Sequence, residues 1–141
     1  LMHMQRDPLT MQFDPEYINV IAEVKQFLKD RADLLISSGI AIDRIAIDPG
    51  FGFGKSLEHN LNMLSNFSEF STLGLPVLAG ISRKSMIGKI TGKDTNDRVA
   101  PSIAAAIMAA DRGASIVRVH DVAETVDALK LWEAIQVDMS V

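Results

Sequence analysis

Arg44-Ile45-Ala46-Ile47-Asp48-Pro49-Gly50-Phe51-Gly52-Phe53-Gly54-Lys55-Ser56 runs from an apolar segment through an acidic, glycine-alternating turn to a residue able to cap a helix. The spacing predicts a strand over Arg44 to Ile47 and a helix from Ser56 to about Phe70. Three more segments repeat this order. A strand at Leu1 to Met4 leads through a loop to a helix over Pro15 to Ser38, with Asp14 as its cap and Gly39 as its stop. Tyr17, Val20, Ile21, Val24, Leu28 and Leu35 form its apolar stripe. A strand at Val77 to Ile81 runs into Ser82-Arg83-Lys84-Ser85, then a short helix that Ser85 is placed to cap, a polar loop from Gly92 to Asp97 and an Ala-rich helix to Arg112. The last strand, Ser115 to Val119, ends in Arg118-Val119-His120-Asp121 before a helix over Ala123 to Val137.

Alternating strand and helix signals predict a parallel sheet. The strand ends recur about every 40 residues, and a complete (β/α)8 barrel takes about 250. Four β/α units therefore correspond to half of such a barrel, and residues 1–141 are expected to be the C-terminal half of one domain whose N-terminal half is absent. An open doubly wound sheet is the alternative, with ligands again at the carboxyl ends of the strands.

Composition narrows the chemistry. The chain carries a net charge of −4 with a pI near 5.3, so it offers no broad basic field for nucleic acid. It has no cysteine, which removes thiolate catalysis, thiolate metal sites and disulfides and fits a reducing cytoplasm. No apolar run approaches the roughly 20 residues of a membrane span. The three histidines lack the spacing of a one-helix metal site, and His59 is expected to be a solvated helix residue. Pro49 breaks a Walker A pattern, and the residues after Gly54 break the dinucleotide pattern.

The remaining candidates lie at the strand ends. Asp48 places a carboxylate where it can accept from a guanidine-like NH/NH2 edge, or form an Asx turn with Pro49 and Gly50. Gly50, Gly52 and Gly54 allow close backbone approach, with Phe51 and Phe53 offering flat apolar surfaces. Lys84, next to Arg83 and close to Gly80, can donate to a heterocycle or an anion. Arg118 and His120 are two apart on a strand and share a face suited to phosphate, unless Arg118 pairs with Asp121.

Leu1-Met2-His3-Met4-Gln5, Asp48 to Lys55, Gly80-Ile81-Ser82-Arg83-Lys84-Ser85-Met86-Ile87-Gly88 and Arg118-Val119-His120-Asp121-Val122 together resemble the dihydropteroate synthase family in order and spacing. The resemblance implies condensation of 6-hydroxymethyl-7,8-dihydropterin diphosphate with p-aminobenzoate in a barrel mouth, in folate biosynthesis. It further implies Lys84, Arg118 and His120 as catalytic residues and Asp48, Lys84, Met2, Phe53 and Gly80 around the pterin. Arg118 and His120 would hold the diphosphate. Phe53, Ser82, Arg83 and Ser85 would line the p-aminobenzoate pocket, where sulfonamides compete. Mg2+ is expected as cofactor, with its ligand residue in the missing half and none in these 141 residues; a cytoplasmic homodimer joined through the last helices is expected too. Arg6 departs from the family's glycine. Alternatives are a pterin-binding methyltransferase-like barrel, which needs no diphosphate site, and a non-catalytic pterin-binding fragment; the fragment alone is expected to be inactive.

Overall fold

A computed structural model describes residues 1–5 and 15–138. Four extended segments lie side by side, parallel and in chain order. Met2 bridges to Asp48, Ile47 bridges to Val77, and β1 (Leu78–Ala79) pairs with β2 (Ile116–Val117) in the register Leu78 to Ile116 and Ala79 to Val117. The ladder is continuous: Asp48 N donates to Leu1 O at 2.7 Å, Leu78 N to Ile47 O at 2.7 Å and Arg118 N to Ala79 O at 3.0 Å. The carboxyl ends of all four segments therefore point the same way.

Helices connect them. α1 spans Val20–Ser37, α2 Leu57–Ser65, α3 Ser68–Ser71, α4 Ser85–Thr91, α5 Val99–Asp111 and α6 Val122–Asp138. α1 buries Val20, Val24, Leu28 and Ala32, a stripe at helical spacing, and packs on α2 and α3. Phe51, Phe67 and Phe70 are fully buried, with Phe51 stacked on Phe67 at 6.1 Å between ring centroids. Ala105, Ala106 and Ala109 bury the small-residue face of α5, which packs on β2 and α6.

Several boundaries differ from the sequence reading, each for a local reason. α1 starts at Val20 rather than Pro15, because Asn19 is its cap: Asn19 Oδ1 accepts from Ala22 N, while the Glu23 carboxylate takes the N–H groups of Ile18 and Asn19. Pro15 and Tyr17 thus lie outside the helix, and the expected cap Asp14 and the departure at Arg6 fall outside the described residues. Arg44 is not in a strand; Ile42–Arg44 form a 3₁₀ turn, and ladder pairing begins only at Ile47. The helix after Ser56 stops at Ser65, where Asn66 turns its amide back onto Asn62, and α3 is separate. Ser85 does not cap α4. It is the first helical residue, and the cap position belongs to Lys84, whose side chain is engaged elsewhere.

Candidate functional site

The turn after Ile47 is shaped by the acid that opens it. Asp48 is nearly buried; its Oδ1 accepts from Gly50 N at 2.8 Å, an Asx turn, and its Oδ2 faces Arg118 Nη2 at 3.5 Å. The Asx turn of the sequence reading is thus present on one oxygen, while the other is faced by the protein's own guanidinium. Gly50, Gly52 and Gly54 all take positive φ, of 74°, 78° and 64°. At Gly50 the need for glycine is absolute, since a Cβ there would overlap the carbonyl oxygen of His3 on the neighbouring segment.

The two phenylalanines of the loop part company. Phe51 is a core residue, fully buried, and offers no surface to a ligand. Phe53 is half-buried, and its ring lies 4.3 Å from Lys84 Nζ. The same ammonium donates to Phe51 O. Burial brings the Lys84 pKa down to about 8, with the Arg118 charge acting in the same direction and the Asp48 carboxylate opposing it. Asp48, Lys84 and Arg118 therefore act on one another at one rim. Met2 stands beside Asp48 across the ladder and is 40% exposed, and Gly80 lies beneath the Arg118 guanidinium.

Arg118 and His120 lie just beyond β2 and have different partners. His120 Nδ1 is 2.9 Å from Ser82 Oγ, and His120 N donates to the same hydroxyl at 3.2 Å. Asp121 pairs not with Arg118 but with Arg83, whose Nε donates at 3.1 Å and whose Nη2 holds the second carboxylate oxygen. This pairing raises the Arg83 pKa and lowers that of Asp121. Arg83 itself takes a left-handed φ of 57°, and its N–H is held by the buried Ser102 hydroxyl at 2.9 Å. Ser85 is exposed at the start of α4.

His59 is corrected as well. It is half-buried: its imidazole accepts from Ser56 N at 3.2 Å while Ser56 Oγ accepts from His59 N, a capping box, and Tyr17 packs edge-on against the ring.

Four residues that shape the rim were not singled out from sequence. Lys55 is 4% exposed and bonds to His3, Gly50 and Phe53; burial lowers its pKa to about 7, Lys84 adding to the shift and Asp48 opposing it. Asn60 accepts from Gly52 N at 2.7 Å and donates to Ser56 O. Arg98 donates to the carbonyls of Arg83 at 3.0 Å and Lys93 at 2.9 Å, and Ser102 holds Arg83 as described. Lys55 ends the Asp48 to Lys55 motif and the other three lie outside the motifs, but all four act through backbone groups of the motifs, and spacing carries no signal for that.

An acid and two cations, Asp48, Lys84 and Arg118, meet at the carboxyl ends of parallel segments, the edge at which α/β proteins bind their ligands. The chain belongs to the pterin binding enzyme family, whose model matches residues 1–120. It is 50% identical to the dihydropteroate synthase of Haemophilus influenzae over 134 residues, 95% of this chain and 49% of that protein. The crystal structure of Yersinia pestis dihydropteroate synthase with a sulfonamide drug superposes with a TM-score of 0.94 at 42% identity, over 97% of this chain and 50% of that one. The Xanthomonas albilineans enzyme in complex with 7,8-dihydropteroate gives 0.89 at 49% identity, over 96% of this chain and 49% of that one. The chain thus spans about half the length of the relatives it matches.

Proposed function

We propose that the chain is the C-terminal half of a (β/α)8 barrel, four β/α units, and works as the pterin- and arylamine-binding half of a dihydropteroate synthase. The observation that carries this reading is the shared Asp48 carboxylate, with Lys84 beside it and Arg118 across from it at one rim. Similar proteins that carry the synthase name, one of them with 7,8-dihydropteroate bound, support it over a methyltransferase-like barrel or a non-catalytic module.

On this reading Asp48 accepts from the NH/NH2 edge of the pterin, Lys84 donates to its carbonyl and ring nitrogen, and Met2 and Gly80 border the ring. Arg118 and His120 stabilise the diphosphate as the bond from methylene carbon to oxygen breaks and the electron pair leaves with the anion. The p-aminobenzoate nitrogen forms the new bond to that carbon and then gives up a proton to solvent. Phe53, Ser82, Arg83 and Ser85 line the arylamine pocket, the place where a sulfonamide would compete. Cation placement supplies the catalysis, since charge builds on the departing group.

Among the described residues no group of three or more His, Asp or Glu side chains is placed to hold a metal ion, and on this reading Mg2+ is held outside them. A homodimer and a cytoplasmic location complete it. Exposed Val122, Leu131 and Ile135 on α6 supply apolar surface for the first. No helix among the described residues is long and apolar enough to cross a membrane.

The test is a chimera joining the N-terminal half of the Haemophilus influenzae relative to this chain, assayed for p-aminobenzoate-dependent diphosphate release. Turnover is the expected result. A folded chimera that binds neither pterin nor p-aminobenzoate would remove the reading.

A further inference from the structure

Among the described residues, Lys55 is the one buried ammonium that the proposed chemistry leaves unused. None of the ion pairs among the described residues includes it. Instead its Nζ is surrounded by three neutral acceptors: His3 Nδ1 at 3.0 Å, Gly50 O at 2.9 Å and Phe53 O at 3.0 Å. An ammonium has three N–H donors, so the match in number is complete.

Holding an interior cation against neutral acceptors alone is costly, and an apolar side chain of similar length would stabilise the fold at least as well if filling space were the only task. The acceptors show what the charge accomplishes. Gly50 and Phe53 bracket the segment that carries Phe51, and His3 lies on the adjacent extended segment, so one ammonium ties both ends of the loop to the sheet. That segment is the seat of Lys84, which donates to Phe51 O and lies over the Phe53 ring.

We propose that Lys55 is a positioning residue for Lys84: by pinning the Gly50 and Phe53 carbonyls against His3, it fixes the loop on which the Lys84 ammonium rests. The inference deepens the functional reading, since it rests on Lys84 as the residue that holds the pterin. The charged and titratable groups acting on Lys55 are Asp48, Lys84 and His3, and only His3 touches it.

The test uses the chimera described above and NMR signals that need no ligand. Placed over the Phe53 ring, the Lys84 side-chain protons next to Nζ carry an upfield ring-current displacement. In Lys55→Met most of that displacement is expected to vanish while the methyl signals of Leu28 and Val77 in the core stay in place. A folded Lys55→Met variant with the Lys84 displacement intact would overturn the proposal, because a purely fold-stabilising lysine lowers the melting temperature without moving Lys84. Should Lys55→Met fail to fold, His3→Ala retains the ammonium and removes one acceptor. A partial loss there supports the pinning, and no change overturns it.

The two readings separate in the chimera. With the displacement lost in the variant, an inactive wild-type chimera leaves the pinning in place and removes the functional reading. In an active chimera, Lys55→Met is expected to raise KM for the pterin diphosphate by about tenfold with a smaller change in kcat. A kcat loss of that size at unchanged KM would instead assign Lys55 a part in the chemical step and overturn its positioning role.

Discussion

Gly80 and Arg118 occupy what would otherwise be a single space: a Cβ on Gly80 would stand 2.5 Å from Arg118 Nη2 and 3.0 Å from its Cζ. The guanidinium reaches Asp48 only because residue 80 has no side chain.

Gly80→Ala is therefore expected to push the Arg118 guanidinium away from Asp48 with little loss of stability, below about 1 kcal/mol, because the Arg118 side chain is 56% exposed and can swing into solvent. In the chimera, KM for the pterin diphosphate should rise by about tenfold. Urea unfolding alongside steady-state kinetics checks both halves; an unchanged KM would show that the Arg118 position is unimportant.

Turnover should carry an alkaline limb. Burial holds the Lys84 pKa near 8, so the group that donates to the pterin on the proposed reading loses its proton as pH rises through that value. Lys84→Arg keeps its charge throughout, and the component of the profile that disappears in this variant should have its midpoint near pH 8.

Acid should weaken the fold through His3. Its folded pKa, lowered from 6.5 to about 4 by burial and then by Lys55, lies below the ordinary value, so the native state resists taking up a proton. The His3 contribution to stability is complete above pH 6.5 and declines as pH falls towards 4, by up to about 3 kcal/mol. His3→Gln should flatten this dependence relative to wild type in urea midpoints measured across that window.

Arg98→Ala removes a charged donor from the carbonyls of Arg83 and Lys93 and vacates the space against Gly88, where a Cβ would overlap the guanidinium. A loss of about 2 kcal/mol is expected in denaturant unfolding. Faster amide exchange confined to Ser82 to Lys84 would localise the effect; a loss spread over the whole chain with those amides unchanged would refute it.

What the sequence revealed depended on range. Asp48, Lys84 and Arg118 were legible because each ends an apolar segment, and carboxyl ends of parallel strands meet at one edge. Asn19 was not, because the choice between it and Asp14 as the cap is decided by the Glu23 carboxylate, a few residues on, taking two N–H groups at once. Phe51 and Phe53 are indistinguishable by alternation alone; a stacking partner far along the chain, Phe67, draws the first into the core. Lys55 followed a glycine-rich turn and so invited comparison with nucleotide loops, whereas its three acceptors are visible only once His3 has been brought alongside. The short ladder, two residues per paired strand, left little alternating pattern by which to set boundaries at Arg44 or Ser115.

The loose contact between Arg118 and Asp48 also bears on selectivity. On the proposed reading, a heterocycle that meets a carboxylate with a companion on each oxygen competes with a guanidinium instead of filling a bare acceptor. A ring that presents N–H donors can trade places at small net expense and sets the arginine free for an anion nearby. One that presents a carbonyl edge has nothing to trade, and the acid keeps its own partner.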